Sequence, residues 1–317
     1  MVKIAILDDY QRVARSFADW SRIEAGNEIV TFDTPFKDEA DVTAKLAEFE
    51  VLCVLRERTR FPRGVLERLP KLKLMASTGL RNAAIDMKAA AERGIVVCGT
   101  DSGSVATAEL AVGLMLAVAR SIPLEDANMR AGRWQTTVGM ELHGKTLGLL
   151  GLGKLGGGVA RVGAALGMKI IAWSQNLTQA RCDEFGARRV EKDELFAQAD
   201  VLSIHLVLSD RSRGLVGARE LTMMKRSAIL INTSRGPIVD EDALLKALQS
   251  GWLRGAGIDT YGTEPVPVDH PIRTCPRTVL TPHLGYVTEE TYRLFYADTV
   301  DNIAAWLGGA PKRVMTA

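Results

Sequence analysis

The chain has 317 residues, 47% of them hydrophobic, and this length exceeds that of a typical single domain, so two domains are expected. Forty Lys and Arg side chains against 38 Asp and Glu leave a formal net charge of +2, which indicates neither a nucleic-acid-binding surface nor an acidic tail. The four cysteines form no CxxC pair. We therefore predict no metal site and no disulfide framework, and a reducing compartment fits best.

The amino-terminal segment MVKIAILDDY lacks the basic region, long apolar core and cleavage site of a secretory signal, and it predicts a first strand. The longest apolar stretch, Ala108–Ala119, is shorter than the roughly 20 residues that span a bilayer, and it includes Glu109. We therefore expect a cytoplasmic protein with neither a membrane nor a nucleic acid as partner.

Short runs of Val, Ile and Leu alternate with segments of helical period, a pattern typical of parallel strands joined by helices. The predicted fold class is α/β, with two doubly wound parallel sheets. The first series of predicted strands is Lys3–Leu7, Glu28–Phe32, Val51–Leu55, Lys73–Ser77 and Ile95–Cys98. The second series is Thr146–Leu150, Lys169–Trp173, Val201–His205, Ala228–Asn232, Gly255–Asp259 and Thr278–Thr281.

Small and polar residues separate the two series and predict a linker near Gly99–Val105, which leads into a long helix. Another helix is predicted near the end of the chain, where Thr288 could provide its cap. The apolar stripe of this helix includes Tyr292, Phe295, Val300 and Trp306. The residues alone leave open which sheet the last helix packs against.

A GxGxxG motif follows the strand TLGLL and opens a helical segment, and this context indicates a dinucleotide-binding turn. Gly151 permits the tight turn, Gly153 lets the backbone approach a pyrophosphate, and Gly156 allows the helix to pack closely on the strand. The candidate cofactor-binding residues of the motif are Gly151, Leu152, Gly153, Lys154, Leu155 and Gly156. A glycine-rich turn without a ligand is the alternative, which the order of strand, turn and helix disfavours.

The following strand ends at Ser174 and Gln175, where an acidic residue that binds the adenosine ribose is expected. An acidic side chain would hold the 2′-hydroxyl group and repel a 2′-phosphate, so its absence permits NADP. Ser174 and Gln175 are candidate cofactor contacts. No arginine adjoins Ser174, and Arg181 lies seven residues further along, so the residues leave the choice between NAD and NADP open.

Polar residues follow four strands of the second series, and ligands of open α/β sheets bind at such carboxyl ends. These residues are His205 after VLSI, Asn232 to Arg235 after AILI, Asp259 after GAGI and His283 after TVLTP. His283 is the candidate acid/base, because an imidazole with a pKa of about 6.5 exchanges protons near neutrality. Glu264 could orient that ring, and Arg235 could hold a substrate carboxylate. Each of these three residues could alone be structural, whereas together they predict an active site, with His205 in the cofactor wall.

The chain resembles the D-isomer-specific 2-hydroxyacid dehydrogenase family over nearly its whole length. The matching segments are LHGKTLGLLGLGKLG, ALGMKIIAWS, VLSIHLVLSDRSRGLVG, AILINTSRGPIVDEDALLKAL, GAGIDTYGTEPVPVDHPI and TPHLG, in the family's order. The resemblance implies that Arg235 binds substrate, that Glu264 orients the histidine, and that His283 is the general acid/base. It also implies that Thr233 and Asp259 contact the nicotinamide end of the cofactor.

The resemblance further implies a Rossmann dinucleotide-binding domain at residues 101–285 and a smaller, flavodoxin-like substrate domain at residues 1–100 plus 286–317. A homodimer formed through the long helix is implied as well. Thr78 and Gly79 resemble the family's loop whose backbone N–H groups receive the substrate carboxylate. Arg81 stands where the family has an aspartate, which indicates either a second acidic group on the substrate or a surface ion pair.

The predicted function is that of an oxidoreductase that transfers a hydride between NAD or NADP and a small 2-oxoacid or D-2-hydroxyacid. Phosphoglycerate dehydrogenase lies within this class, and formate oxidation fits less well because it needs no protonatable histidine–glutamate pair. An alternative of another class is an NAD(H)-sensing scaffold with little turnover, which resembles the C-terminal-binding-protein corepressors. An apolar peptide groove and poor turnover would distinguish such a scaffold.

Overall fold

The computed structural model describes residues 1–103 and 105–316 and divides into two compact units. Unit 1 comprises Met1–Ser104 and Val287–Ala317, and unit 2 comprises Val105–Tyr286. Ser104 of the predicted linker and Ala317 of the predicted substrate domain lie outside the described residues. Parallel strands alternate with helices in both units, so the predicted α/β class with two parallel sheets is confirmed.

Unit 1 is built on a parallel sheet. Its strands are β1 (Lys3–Ile6), β2 (Glu28–Thr31), β3 (Val51–Val54), β4 (Leu74–Ser77) and β5 (Val96–Cys98). Within the described residues the spatial order is β2-β1-β3-β4-β5, which is the order of flavodoxin-like folds. Ala5 lies opposite Val30 on one side and opposite Leu52 on the other, so the strand order reverses between β1 and β3.

Unit 2 contains a larger parallel sheet. Its strands are β6 (Thr146–Leu150), β7 (Lys169–Trp173), β8 (Arg188–Arg189), β9 (Val201–Ile204), β10 (Ile229–Asn232), β11 (Gly255–Ile258) and β12 (Thr278–Leu280). Their order in the described part of the chain is β12-β11-β10-β9-β6-β7-β8. The order reverses between β6 and β9, where Leu150 lies opposite Ile204, and such a switch point is where doubly wound sheets bind ligands.

Helices connect the strands of both sheets. Their bounds are α1 Ser21–Glu24, α2 Glu39–Leu46, α3 Arg63–Leu66, α4 Met87–Glu92, α5 Ala106–Arg120, α6 Ile122–Arg130, α7 Lys154–Ala165, α8 Gln179–Asp183, α9 Lys192–Gln198, α10 Ala218–Met223, α11 Glu241–Gln249 and α12 Glu289–Leu307. Thr288 caps α12, as its sequence predicts, by accepting a hydrogen bond from the Thr291 N–H at 3.3 Å. The residue pattern left open which sheet the last helix packs against, whereas the family resemblance placed it with residues 1–100. In the structure α12 belongs to unit 1 and contacts β4.

The core of unit 2 lies on both faces of its sheet. In β10, Leu230 packs into one apolar cluster, whereas its neighbours Ile229 and Ile231 pack into the other. This alternation follows from the period of two along a strand that is covered on both faces. Helix α5 covers one face, and Gly257 leaves so little room that an added Cβ would lie 2.9 Å from the Leu114 Cβ atom.

Two details differ from what the sequence indicates. Strand β8 consists of two exposed arginines, Arg188 and Arg189, which carry no apolar signal and were not predicted as a strand. His270 lies in VDHP, a turn-like context that indicates exposure, but the residue is half-buried and its Nε2 atom lies 2.7 Å from Glu241 Oε1.

No single helix among the described residues is long and apolar enough to cross a membrane. Helices α5 and α6, which meet at a 60° bend, together reach the length and apolar composition of a membrane span, and this likeness rests on length and composition only.

Candidate functional site

The glycine motif of unit 2 forms the turn from β6 into α7. Gly151 has a φ of +104°, and an added Cβ would lie 2.8 Å from the carbonyl oxygen of His205. At Gly156 an added Cβ would overlap the carbonyl oxygen of Gly151. Gly153, in contrast, is the N-cap of α7, has no side-chain cap, and has no atom within 4 Å of the position of an added Cβ. Gly151 and Gly156 therefore close the turn, and Gly153 leaves the helix N-terminus accessible.

These features fit a bound dinucleotide. Backbone N–H groups at the start of a helix without a side-chain cap attract an anion such as a pyrophosphate. The hydroxyl group of Thr233, directly after β10, is buried and has no hydrogen-bond partner within residues 1–103 and 105–316. A buried hydroxyl without a partner is costly, so a polar cofactor group at this position would relieve that cost.

The segment after β7 carries Ser174 and Gln175, and no carboxylate follows until Asp183. Ser174 is half-buried and Gln175 is exposed. The structure answers the question of where Arg181 points, because its Nε atom donates a hydrogen bond to the Leu152 carbonyl oxygen at 3.1 Å. The Arg181 side chain thus turns back to the glycine motif.

His205 directly follows β9 at the switch point of the sheet. Its backbone N–H donates to the Leu150 carbonyl oxygen at 2.8 Å, and its Nε2 atom lies 2.9 Å from Ser203 Oγ. Burial lowers the pKa of His205 to about 4, because the surrounding protein solvates an imidazolium poorly. The ring is therefore neutral at physiological pH, which suits a wall beside Gly151 better than proton transfer.

Glu264 and His283, which the sequence separates by 19 residues, form a direct pair. His283 Nδ1 lies 2.6 Å from Glu264 Oε2, and the Tyr261 N–H donates to Glu264 Oε1 at 2.9 Å. The Tyr261 hydroxyl in turn donates to the Thr281 carbonyl oxygen at 2.9 Å. Both side chains of the pair are largely buried, with 18% of the His283 side chain and 24% of the Glu264 side chain exposed. Tyr261 thus links the two loops, a role that its sequence context does not reveal.

Asp259, which follows β11, binds the loop that carries His283. Its Oδ1 atom accepts hydrogen bonds from the Thr281 hydroxyl at 2.6 Å and from the Leu284 N–H at 2.7 Å, and its Oδ2 atom accepts from the Gly285 N–H at 3.0 Å. Burial raises the pKa of the Asp259 carboxyl group, which these three donors and the nearby His283 counteract. The carboxylate therefore holds the Thr281 side chain before the histidine and the backbone of Leu284 and Gly285 after it.

Arg235 lies in the turn after β10. Asn232 shapes this turn, since its Nδ2 atom donates to the Arg235 carbonyl oxygen at 3.1 Å and its Oδ1 atom accepts from the Ser234 N–H at 3.0 Å. Gly236 packs directly on the backbone of Tyr261, where an added Cβ would overlap the Tyr261 carbonyl group. The arginine turn and the loop that carries Glu264 are thus adjacent at the carboxyl edge of the sheet.

The predicted substrate loop lies at the carboxyl end of β4 in unit 1. The Thr78 N–H donates to the Val54 carbonyl oxygen at 2.9 Å, and the Gly79 N–H donates to the Thr100 hydroxyl at 2.8 Å. Both of these amides are therefore engaged within unit 1. The backbone N–H groups of Leu80 and Arg81 have no hydrogen-bond acceptor in the described part of the chain.

The arrangement in unit 2 can bind an anionic dinucleotide and exchange a proton. A carboxylate at Nδ1 fixes the orientation of an imidazole and stabilises its protonated form, as in other histidine-dependent enzymes. A guanidinium group at the same sheet edge can pair with a carboxylate. Among residues 1–103 and 105–316, no cluster of three or more His, Cys, Asp or Glu side chains could hold a metal ion.

Residues 112–285 match the family described as D-isomer specific 2-hydroxyacid dehydrogenase, NAD binding domain. A D-3-phosphoglycerate dehydrogenase of Methanocaldococcus jannaschii is 36% identical over 298 residues, which are 92% of this chain and 55% of that protein. A glyoxylate reductase of Aeropyrum pernix is 38% identical over 255 residues, which are 77% of this chain and 76% of that protein. The crystal structure of a phosphoglycerate oxidoreductase of Vibrio cholerae O395 superposes with a TM-score of 0.92 at 36% identity, and the match covers 98% of this chain and 100% of that one.

The chain therefore belongs to the D-isomer-specific 2-hydroxyacid dehydrogenase family, and it carries the family's NAD-binding domain. The resemblance inferred from the sequence motifs is confirmed. The chain spans about half the length of the D-3-phosphoglycerate dehydrogenases that it matches.

Proposed function

We propose that the protein is a reversible D-2-hydroxyacid dehydrogenase, or 2-oxoacid reductase, that uses NAD or NADP. The single observation that carries this proposal is the 2.6 Å contact between Glu264 Oε2 and His283 Nδ1 at the edge of a dinucleotide-binding sheet. A reaction that couples hydride transfer to proton transfer needs such a positioned acid/base. The names of the relatives, phosphoglycerate dehydrogenase and glyoxylate reductase, support this reaction class.

The bound nicotinamide cofactor would supply the hydride for carbonyl reduction and accept it in the reverse direction. His283 gives a proton to the carbonyl oxygen through Nε2, because Nδ1 faces Glu264. Glu264, which contacts Nδ1 at 2.6 Å, keeps the ring oriented before and after the transfer. Arg235 pairs with the substrate carboxylate and polarises the adjacent carbonyl group.

The cofactor-binding residues in this proposal are those of the glycine motif and of the strand ends around it. They are Gly151, Leu152, Gly153, Lys154, Leu155, Gly156, Ser174, Gln175, His205, Thr233 and Asp259. For Asp259, the three hydrogen bonds to the His283 loop support a positioning role rather than the nicotinamide contact that the family resemblance implies.

Unit 1 is proposed as the substrate domain and unit 2 as the nucleotide domain. Because Thr78 and Gly79 already use their N–H groups within unit 1, the amides of Leu80 and Arg81 are better placed to receive a substrate carboxylate. The exposed guanidinium group of Arg81 would then favour a small 2-oxoacid with a second acidic group. We also propose a homodimer, formed through α5, α6 and the segment that follows them.

The variant His283→Ala tests the proposed mechanism. It should lower kcat at least about a hundredfold, since general acid–base catalysis contributes roughly that factor or more, while the dissociation constant of the cofactor stays within about twofold. Turnover is measured with a panel of 2-oxoacids and both NADH and NADPH, and cofactor binding by fluorescence titration. His143→Ala, at an exposed histidine of the same unit, is the matched control. Unchanged turnover in His283→Ala would reject the assignment.

No observation specifically favours the NAD(H)-sensing scaffold. The relatives reported above are named for dehydrogenase and reductase reactions.

A further inference from the structure

We propose that unit 2 selects NADP(H) over NAD(H), and that the Arg181 guanidinium group and the Ser174 hydroxyl group bind the 2′-phosphate of its adenosine ribose. The inference rests on the proposed function, which either cofactor would satisfy. Seven residues separate Arg181 from Ser174 along the chain, so the fold rather than the sequence decides whether they are neighbours.

Both residues lie next to the glycine motif. The carbonyl oxygen of Trp173, the last residue of β7, accepts a hydrogen bond from the Gly151 N–H at 2.9 Å. Ser174, the next residue, therefore lies beside the motif. From the other end of the same turn, Arg181 Nε donates to the Leu152 carbonyl oxygen at 3.1 Å. Ser174 and the guanidinium group therefore flank the same two residues, next to the position that the pyrophosphate and adenosine ribose take in doubly wound folds.

The Arg181 guanidinium group lies over an aromatic ring. Its Cζ atom lies 4.6 Å from the centroid of the Phe185 ring, and the Cζ atom of Arg161 lies 5.0 Å from the same centroid. Phe185 itself packs on the first turn of α7, where an added Cβ at Gly157 would overlap the ring. An arginine side chain that contacts a ring and a backbone carbonyl before the ligand arrives loses less conformational entropy on binding a phosphate.

The charges around this position also favour a phosphate. The Ser174 Oγ atom has no hydrogen-bond partner among the described residues, so it can donate to a ligand. The guanidinium group pairs with the carboxylate of Glu184, which directly follows α8 and has a side chain that is 55% exposed. Exposed ion pairs of this kind contribute little to the stability of the fold, so a dianionic phosphate can replace Glu184 as the partner of Arg181. A carboxylate that would hold the ribose diol and repel the phosphate is absent from residues 174–178.

A structural role for Arg181 is the competing explanation. By bonding to Leu152 and stacking on Phe185, the side chain could do no more than tie α8 to the glycine motif. Loss of such a tie would disturb the turn that binds the pyrophosphate. Because both cofactors contain this pyrophosphate, the binding of NADH and of NADPH would weaken equally. The ratio of the two affinities therefore separates the explanations.

The experiment measures dissociation constants of the whole chain for NADPH and NADH by fluorescence titration without any oxoacid, and for 2′,5′-ADP and 5′-AMP by competition. We expect the wild type to bind NADPH at least about tenfold more tightly than NADH, as a charge-assisted pair allows. Arg181→Ala should raise the dissociation constants of NADPH and 2′,5′-ADP by about that factor. It should change the dissociation constants of NADH and 5′-AMP by less than about twofold. Ser174→Asp, at a partly exposed position, should weaken NADPH and leave NADH bound.

Arg219→Ala, which removes an exposed arginine paired with Asp193 on the same unit, is the matched control and should change none of these constants. Equal weakening of both cofactors by Arg181→Ala, or a wild type that prefers NADH, would overturn the inference. The titration needs no substrate, so its outcome is independent of the proposed function. Selective NADPH binding without turnover of any 2-oxoacid would refute only the proposed function, whereas turnover without cofactor discrimination would refute only this inference.

Discussion

At the scale of single residues, the environment of His283 shows how one imidazole is fixed from two sides. Glu264 contacts its ring nitrogen, and Asp259 holds the backbone at Leu284 and Gly285. His283 has a φ of +54°, a left-handed conformation that non-glycine residues adopt when the surrounding hydrogen bonds enforce it. The backbone of the loop and the contact with Glu264 therefore together fix the position of the imidazole.

His205 should make unit 2 sensitive to acid. Its pKa is about 4 in the folded protein and 6.5 in an unfolded chain, so between these values the unfolded state binds more protons. The stabilisation is present above pH 6.5 and is lost as the pH falls toward 4. The difference corresponds to at most about 3 kcal/mol in the free energy of unfolding. His205→Gln should therefore show a shallower loss of stability between pH 7 and pH 4 in denaturant unfolding.

The matched control for this measurement is His143→Gln, at an exposed histidine of the same unit. It should follow the wild-type pH dependence. A His205→Gln variant with the same acid sensitivity as the wild type would show that other groups dominate the acid response.

At the scale of elements, the turn between β6 and α7 depends on glycines for different reasons. Gly151 needs a positive φ, and Gly156 needs the space next to a backbone carbonyl group. Backbone atoms cannot move aside as the end of a flexible side chain can. The turn therefore tolerates little change at Gly156, although this residue lies within a helix, where alanine is ordinarily preferred.

Alanine at two helical glycines should have opposite effects on stability. Gly156→Ala, which forces a Cβ onto the Gly151 carbonyl oxygen, should lower the free energy of unfolding by about 1–3 kcal/mol and weaken cofactor binding. Gly113→Ala in α5, where no atom lies within 4 Å of an added Cβ, should raise it by about 0.5–1 kcal/mol. Denaturant unfolding of both variants measures these changes. A neutral Gly156→Ala variant would show that the turn can open without cost.

At the scale of the whole molecule, large apolar side chains are exposed on α6 and on the irregular segment that follows it. They are Ile122, Leu124, Met129, Trp134 and Val138, with exposures of 52%, 52%, 60%, 71% and 89%. The segment is held in place, since Arg254 donates to the Val138 carbonyl oxygen at 2.8 Å. A concentration of exposed apolar side chains on a fixed backbone is typical of a surface that another chain covers.

If a second copy covers this surface in a homodimer, the double variant Trp134→Asp, Val138→Asp should be monomeric. Two charges buried without partners would cost more than the interface contributes. Light scattering after size exclusion measures the mass of each variant. Val268→Asp, at a residue of unit 2 that is 91% exposed, is the control and should remain dimeric. A wild type that is monomeric at micromolar concentration would contradict the homodimer.

The strands, the glycine motif and the polar strand ends could be predicted from the sequence, because hydrophobic period and backbone conformation depend on near neighbours along the chain. The two-arginine strand β8 was missed, because it has no apolar residues and forms only through its pairing with β7. The strand order was beyond the residue pattern, because it depends on which surfaces bury each other. The residue pattern also left open the membership of α12 in unit 1, and only the family resemblance placed residues 286–317 with the first domain.

At the site, the sequence determined which chemical groups are present, and the tertiary structure decided how they are used. Glu264 and His283 were predicted as a pair, but their 2.6 Å contact depends on two loops that Tyr261 joins. The return of Arg181 to the glycine motif and the three hydrogen bonds of Asp259 were not predictable. The physical reason is that a side chain's hydrogen-bond partners are set by packing between segments far apart in the chain, which a local pattern does not encode.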